Sequence, residues 1–159
     1  MLIREFAKAD LTQMIKIWND IVIEGNAFPQ ENILNLENGF EFFNHQSFTG
    51  VAVINNAVVG LYILHPNNVG RCSHIANASY GVDASVRGKH IGKNLVSDSI
   101  EKARELNFKI LQFNAVVESN ASARHLYESL GFRQLGTIPN GFRMKDGTYE
   151  NICPYFIEL

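Results

Sequence analysis

The decapeptide SVRGKHIGKN (85–94) sets Arg87, Lys89, His90 and Lys93 around Gly88 and Gly92, directly after an apolar stretch. Those residue types suit the holding of an anion. Where a strand turns into a helix, the first helical N–H groups have no backbone partner and point outward. Together with the positive end of the helix dipole they attract negative charge. Glycine lets the backbone come close to a phosphate, and the flanking cations add charge. The same composition also describes an ordinary solvated turn, and the local sequence leaves both readings open. Two familiar phosphate loops are excluded. No G-x-G-x-x-G is present. G-x-x-x-x-G-K-[ST] fails because Gly88 stands four positions before Gly92 and Asn94 follows Lys93.

A second group of candidates lies in NASARHLYESLGF (120–132). The Asn120 amide offers a donor and an acceptor, and Tyr127 offers a phenolic proton. Tyr127 also falls on a helical stripe with Leu126 and Leu130, and by that local pattern alone it reads first as a core aromatic. Asn77 and Asn114 sit in the middle of the apolar runs HIANASYGV and LQFNAVV. Asparagine is a poor strand former, and a buried amide without partners costs a few kcal/mol. Either the two amides face a substrate, or they bond each other or a gap in the backbone. His74 is a candidate base but reads as well as a structural histidine. Asp83 ends its strand and Glu24 lies in the first inter-helix loop, so no carboxylate stands out as the base. Cys72 and Cys153 are too few and too far apart for a zinc site or a disulfide framework, and no metal is expected.

The elements that must position these residues can be read from periodicity. Residues 1–6 form a short strand. Leu11, Met14, Ile15, Trp18, Ile21 and Val22 recur at helical spacing, with Asp10 as the expected N-cap. EGNAFPQEN (24–32) is a loop, and a second helix follows over 35–46, weakened by Gly39. FTGVAVI and AVVGLYIL flank Asn55-Asn56 as a hairpin. The loop HPNNVGRC leads to the strand at 74–82. Ile91, Leu95, Val96, Ile100, Ala103 and Leu106 mark a helix, 109–117 a strand, and Asn120 to Gly131 a short helix with a glycine stop. FRQLGTI and YENICPYFI close the chain as two strands. The pattern is α/β: one mixed sheet with helices on both faces.

A chain of 159 residues with no repeat or linker reads as one domain over 1–159. Net charge of −2 gives no chain-wide positive field, so neither nucleic acid nor an anionic membrane is an expected partner. The charged N-terminus is no signal peptide, and no apolar run reaches the roughly 18 residues of a membrane-spanning helix. A cytoplasmic location is the expectation.

The two motifs, in order and separated by one helix and one strand, resemble the GNAT N-acetyltransferase superfamily. Its first signature, Arg/Gln-x-x-Gly-x-Gly/Ala, falls on Arg87-Gly88-Lys89-His90-Ile91-Gly92. Its second, Asn-x-x-Ala-x-x-x-Tyr-x-x-x-Gly-Phe, falls on Asn120, Ala123, Tyr127, Gly131 and Phe132. The likeness in element order covers the whole chain and is sharp over 74–132. It implies a mostly antiparallel mixed sheet whose fourth and fifth strands (74–82 and 109–117) splay apart. It also implies direct transfer of an acetyl group from acetyl-CoA, as cosubstrate, to the amine of a small molecule.

On that resemblance, the amides of Gly88 to Lys93 hold the pyrophosphate, with Arg87 and Lys89 as charge partners and His90 and Ile91 inside the cradle. The strand edge near Tyr80 to Val82, with Asn120, pairs with the peptide-like pantetheine arm. Tyr127 stands near the thioester sulfur and protonates the departing thiolate, whose thiol has a pKa of roughly 8.5. Asn77 and Asn114 face the gap between the splayed strands and orient the acceptor, with Glu24 and Phe28 in a loop over it. His90 stands where the family usually has glycine, and a positive φ would strain it there.

The trio Asn77, Asn114 and Asn120, with HI-x-NA, also looks like the fungal proline-analogue acetyltransferases, which act on small cyclic secondary amines bearing a carboxylate. That likeness points to an amino-acid-like acceptor. The alternatives are a protein N-terminal or lysine acetyltransferase and a non-catalytic acyl-CoA-binding module. In members of the superfamily, closing strands such as YENICPYFI join subunits, so the resemblance allows a homodimer. The general base stays unassigned between His74 and a relayed water.

Overall fold

Asn55 and Asn56 both adopt left-handed backbone, with φ of 50° and 63°. That geometry turns β2 (Phe48–Ile54) directly into β3 (Ala57–Pro66) as an antiparallel hairpin. The computed structural model describes residues 1–159. Its remaining elements are β1 (Leu2–Glu5), α1 (Leu11–Glu24), α2 (Leu36–Asn44), β4 (Ile75–Val82), α3 (Ile91–Glu105), β5 (Ile110–Val117), α4 (Ala121–Ser129), β6 (Arg133–Gln134), β7 (Ile138–Arg143) and β8 (Tyr149–Glu158). They form one mixed sheet in the order β1-β2-β3-β4-β5-β8-β6, with β7 also pairing to β8. Only the β4–β5 pair is parallel.

Alternation along β3 assigns the two cores. Leu61 and Ile63 pack with Met14, Ile17, Trp18 and Phe43 under α1 and α2. Tyr62 and Leu64 pack with Ile91, Leu95, Val96 and Ile100 of α3 on the opposite face. Because β3 is apolar on both sides, helices must cover both. α1 crosses β4 closely: a Cβ on Gly81 would lie 2.9 Å from Ile21 Cδ1 and 3.2 Å from Ile17 Cγ2. That approach carries the C-terminal end of α1, with Glu24, to the corner after β4.

Three expectations are corrected. Asp10 does not cap α1. Its carboxylate accepts from Arg4 at 2.7 and 3.0 Å and from the Ala7 N–H at 2.7 Å, and the Arg4 guanidinium holds it below the usual carboxylate range. The second helix is shorter than 35–46. Asn35 caps it by accepting from the N–H groups of Glu37 and Asn38, and Gly39 is tolerated because a Cβ there would lie 2.7 Å from Ile15 Cδ1. The penultimate strand is not FRQLGTI. Only Arg133 and Gln134 pair with β8 there, and a separate strand follows at Ile138–Arg143. Its Pro139, Asn140 and Gly141 read locally as a turn. The register shift between Ile138 and Phe142 accommodates them while β8 supplies the pairing.

Candidate active site

β4 and β5 stay together for only three residue pairs, Ile75–Ile110, Ala76–Leu111 and Asn77–Gln112. Beyond Asn77 they diverge, and that edge of β4 has no strand partner. Asn77 marks the fork: its Nδ2 donates to the Gln112 carbonyl at 3.1 Å. On β5 the register against β8 shifts between Phe113 and Val116, so Asn114 and Ala115 form a bulge. An aromatic wedge fills the base of the fork. Phe113 lies 5.6 Å from Tyr80 and 4.5 Å from Tyr127, centroid to centroid. The Tyr80 hydroxyl is engaged by Ser99 Oγ at 2.7 Å. The Tyr127 hydroxyl has no such partner, and burial pushes its phenol above the usual tyrosine value.

Two cavities open from this fork. One, of about 370 Å³, is lined by Phe28, Gln30, His65, Asn77, Asn114 and Tyr127, among others. The other, of about 870 Å³, runs along Val82, Arg87, Gly88, Gly92 and Lys93. Ala27, Tyr80, Asn120 and Ala123 line both, which makes them two ends of one cleft.

The larger end is built by the corner. Asp83 accepts from the Ser85 N–H at 2.8 Å and starts a 3-10 turn over Ala84–Val86. Gly88 then takes φ 81° and His90 φ 60°, and α3 begins at Ile91. The left-handed His90 confirms the strain expected there, roughly 1–2 kcal/mol for a side chain with a Cβ. No side chain caps α3, so its first N–H groups face the cleft unpaired. Lys89 is exposed and is not among the residues lining the cleft. Arg87 is not free: its guanidinium bonds Glu24 at 3.1 and 3.3 Å. Glu24 therefore lines the larger end of the cleft and not the smaller chamber.

Asn120 caps α4, its Oδ1 accepting from the Ala123 N–H and Ser122 Oγ, both at 3.2 Å. Both lone pairs are used, so the side chain can offer a ligand only its Nδ2 donors. Asn77 and Asn114 do not bond each other. Asn114 donates to Asn67 Oδ1 at 2.6 Å and accepts from Gln112 Nε2 at 3.0 Å. His74 is exposed, its carbonyl accepting from the Lys109 N–H, and it does not line the chamber.

Two chamber residues were not anticipated. Gln30 Oε1 is the one buried side-chain polar atom without a hydrogen-bond partner. His65 was placed in a loop after Leu64, but β3 runs on through Pro66 and pairs His65 with Asn77. Continuing the strand register two residues further would have found it. No group of three His, Cys, Asp or Glu side chains is assembled that could hold a metal. No helix is long and apolar enough to cross a membrane.

The sequence profile of the acetyltransferase (GNAT) family matches residues 11–132. The chain belongs to the GNAT acetyltransferase family. This GNAT chain is 37% identical over 89 residues to the N-acetyltransferase aca1 of Schizosaccharomyces pombe, a match covering 56% of the chain and 43% of aca1. It thus spans less than half the length of that relative. It is 26% identical over 144 residues to the L-amino acid N-acyltransferase MnaT of Escherichia coli, covering 87% of the chain and 83% of MnaT. Among solved structures, the ribosomal-protein-alanine N-acetyltransferase from Brucella melitensis superposes with a TM-score of 0.94 at 27% identity, over 100% of both chains.

Proposed function

We propose that this chain transfers an acetyl group from acetyl-CoA to the amine of a small, amino-acid-like molecule. The observation that carries this reading is the two-ended cleft. Its larger end meets the uncapped start of α3. Its smaller end is an amide-lined chamber of about 370 Å³, within the size range of small-molecule sites. In this reading the amides after Gly88 hold the pyrophosphate and Lys93 adds charge. The unpaired edge of β4 from Ala78 to Val82 receives the pantetheine arm as an added strand, and Asn120 Nδ2 donates to it. The thioester then lies at the fork, beside the Tyr127 hydroxyl. Asn77, Asn114 and Gln30 face the acceptor. No Lys or Arg lines the chamber, so a carboxylate on the acceptor would be held by amide donors.

The test is a screen for CoA release from acetyl-CoA across amino acids, cyclic secondary amines, a peptide beginning with alanine and a lysine peptide. Turnover confined to the first two groups is expected. A second reading, acetylation of a protein N-terminus, has the likeness to the Brucella enzyme in its favour, and preference for the alanine peptide would establish it. No CoA release with any amine would leave an acyl-CoA-binding module.

Two further outcomes test the cradle. A Cβ at Gly92 would meet only Leu126 Cδ2 at 3.7 Å and Val82 Cγ2 at 3.9 Å, so the protein itself can accept one. Gly92→Val should therefore fold and yet weaken acetyl-CoA binding at least about tenfold, or 1.4 kcal/mol, because the branched side chain crowds the pyrophosphate. Unchanged affinity by calorimetry would remove the cradle. Glu24→Gln should act in the opposite direction. The Glu24–Arg87 pair is more than a third exposed on both sides, so its loss should change stability by less than about 1 kcal/mol. Freeing Arg87 and removing a carboxylate from the anion site should tighten acetyl-CoA binding about two- to fivefold at low salt. Weaker binding would show that Arg87 does not face the cofactor.

A further inference from the structure

We infer that His65 is the general base that takes the proton from the acceptor amine. The inference rests on the acetyltransferase reading above and names a residue for its unassigned step. An amine with a pKa of roughly 9–10 is mostly protonated near neutral pH and cannot attack a thioester until it loses a proton.

The chamber restricts what can take it. No Asp, Glu, Lys, Arg or Cys lines it, and its titratable side chains are His65, Tyr80 and Tyr127. Both phenols are pushed above the ordinary tyrosine value by burial and hold their protons. The groups facing the chamber from the other elements are the neutral amides of Gln30 on the α1–α2 loop, Asn77 on β4 and Asn114 on β5. His65 is the remaining side chain of the chamber with a ring-nitrogen lone pair that can accept a proton.

Its orientation fits the role. His65 Nδ1 lies 3.1 Å from the Pro66 carbonyl oxygen. A carbonyl only accepts, so Nδ1 carries the hydrogen and the neutral ring keeps its lone pair on Nε2. His65 also stands opposite Asn77 in the β3–β4 register, at the fork where the strands part.

The step balances. The ammonium gives one proton to Nε2, and the neutral amine attacks the thioester carbon, forming the C–N bond as the carbonyl π pair moves to oxygen. The carbonyl re-forms, the C–S bond breaks with its pair on sulfur, and the thiolate takes the Tyr127 proton. The second N–H proton of the former amine restores the phenol. His65 releases its proton to solvent, so one proton is lost per acetyl transferred.

The experiment pairs kinetics with a measurement that needs no acceptor. With an amine found by the screen, His65→Gln should lower kcat/KM at neutral pH by about a hundredfold or more while acetyl-CoA affinity and melting temperature stay close to wild type. The wild-type rate should level off with rising pH well below the pKa of the amine, and in the variant that plateau should vanish, leaving a rate that rises continuously with pH as the amine deprotonates itself. His65→Ala should behave in the same way and guards against a defect peculiar to glutamine. Nitrogen-15 NMR of the imidazole in the wild-type protein should show the Nδ1–H tautomer. An Nε2–H tautomer would overturn the assignment, as would His65→Gln with wild-type rate and an unchanged plateau. A wild-type protein that binds acetyl-CoA but acetylates no amine would instead overturn the transferase reading, and the base role with it.

Discussion

Tyr127→Phe is expected to lower kcat by about 10²–10⁴-fold, the usual contribution of a positioned general acid, while leaving acetyl-CoA affinity within about twofold. The ring is packed among Phe113, Phe132, Tyr80 and Tyr155, and phenylalanine keeps all of that packing. The hydroxyl bonds nothing in the protein, so its removal breaks no structural hydrogen bond and the melting temperature should hold. Burial raises the phenol above its ordinary value, so the proton stays in place throughout the working pH range. On the proposed function it meets the charge that appears on sulfur only as the C–S bond breaks. An interaction made only in the transition state lowers kcat without changing ground-state binding. The decisive measurement is single-turnover transfer at saturating acetyl-CoA and acceptor. A wild-type rate there would reduce Tyr127 to a packing residue of α4.

Phe28→Ala should show the second large effect, chiefly on stability. The expectation from sequence was a loop residue over the acceptor. The structure also buries the ring, at 7% exposure, against Trp18 with centroids 4.4 Å apart. Trp18 in turn meets Phe42 at 4.9 Å and Phe43 at 5.8 Å. The loop is thus anchored in the core that joins α1, α2 and β3. Truncating such a ring typically costs about 3–5 kcal/mol, which for a chain of this size lowers Tm by roughly 6–20 °C. The same truncation removes a wall of the smaller chamber, so on the proposed function KM for the amine should rise while acetyl-CoA affinity stays the same. Phe28→Leu keeps most of the volume and should cost less than about 2 kcal/mol. An unchanged Tm for Phe28→Ala would mean the loop is not held by Trp18.

Sequence alone determined the features governed by neighbours along the chain. The Asn55-Asn56 hairpin needs two left-handed residues, and asparagine is among the few residue types that tolerate this. The helical stripes of α1 and α3 follow from period, and Asn120 and Gly131 bound α4 through local capping chemistry. The strand-to-helix corner at 85–94 and the placement of the second motif on α4 were legible because their spacing is itself the geometry of such a turn and of one helix face.

Tertiary structure decided what depends on partners distant in sequence. Asp10 turned from the α1 N-cap to Arg4 because folding brought a guanidinium to it. Arg87 found Glu24, 63 residues away, because α1 crosses β4 at Gly81. β7 exists because β8 pairs with residues that by themselves favour a turn. Asn77 and Asn114 were visible as misfits in strands, but whether they met each other depended on where β4 and β5 part. The bulge at Asn114 and Ala115, read against β8, settled that they do not. His65 was hidden because a strand's end is set by its neighbour, and Asn77, 12 residues on, is what keeps His65 in β3 and brings it to the fork. Local conformational preference can be read from a window of a few residues. Which side chains share a cavity is determined by pairings whose energy appears only once the sheet has formed.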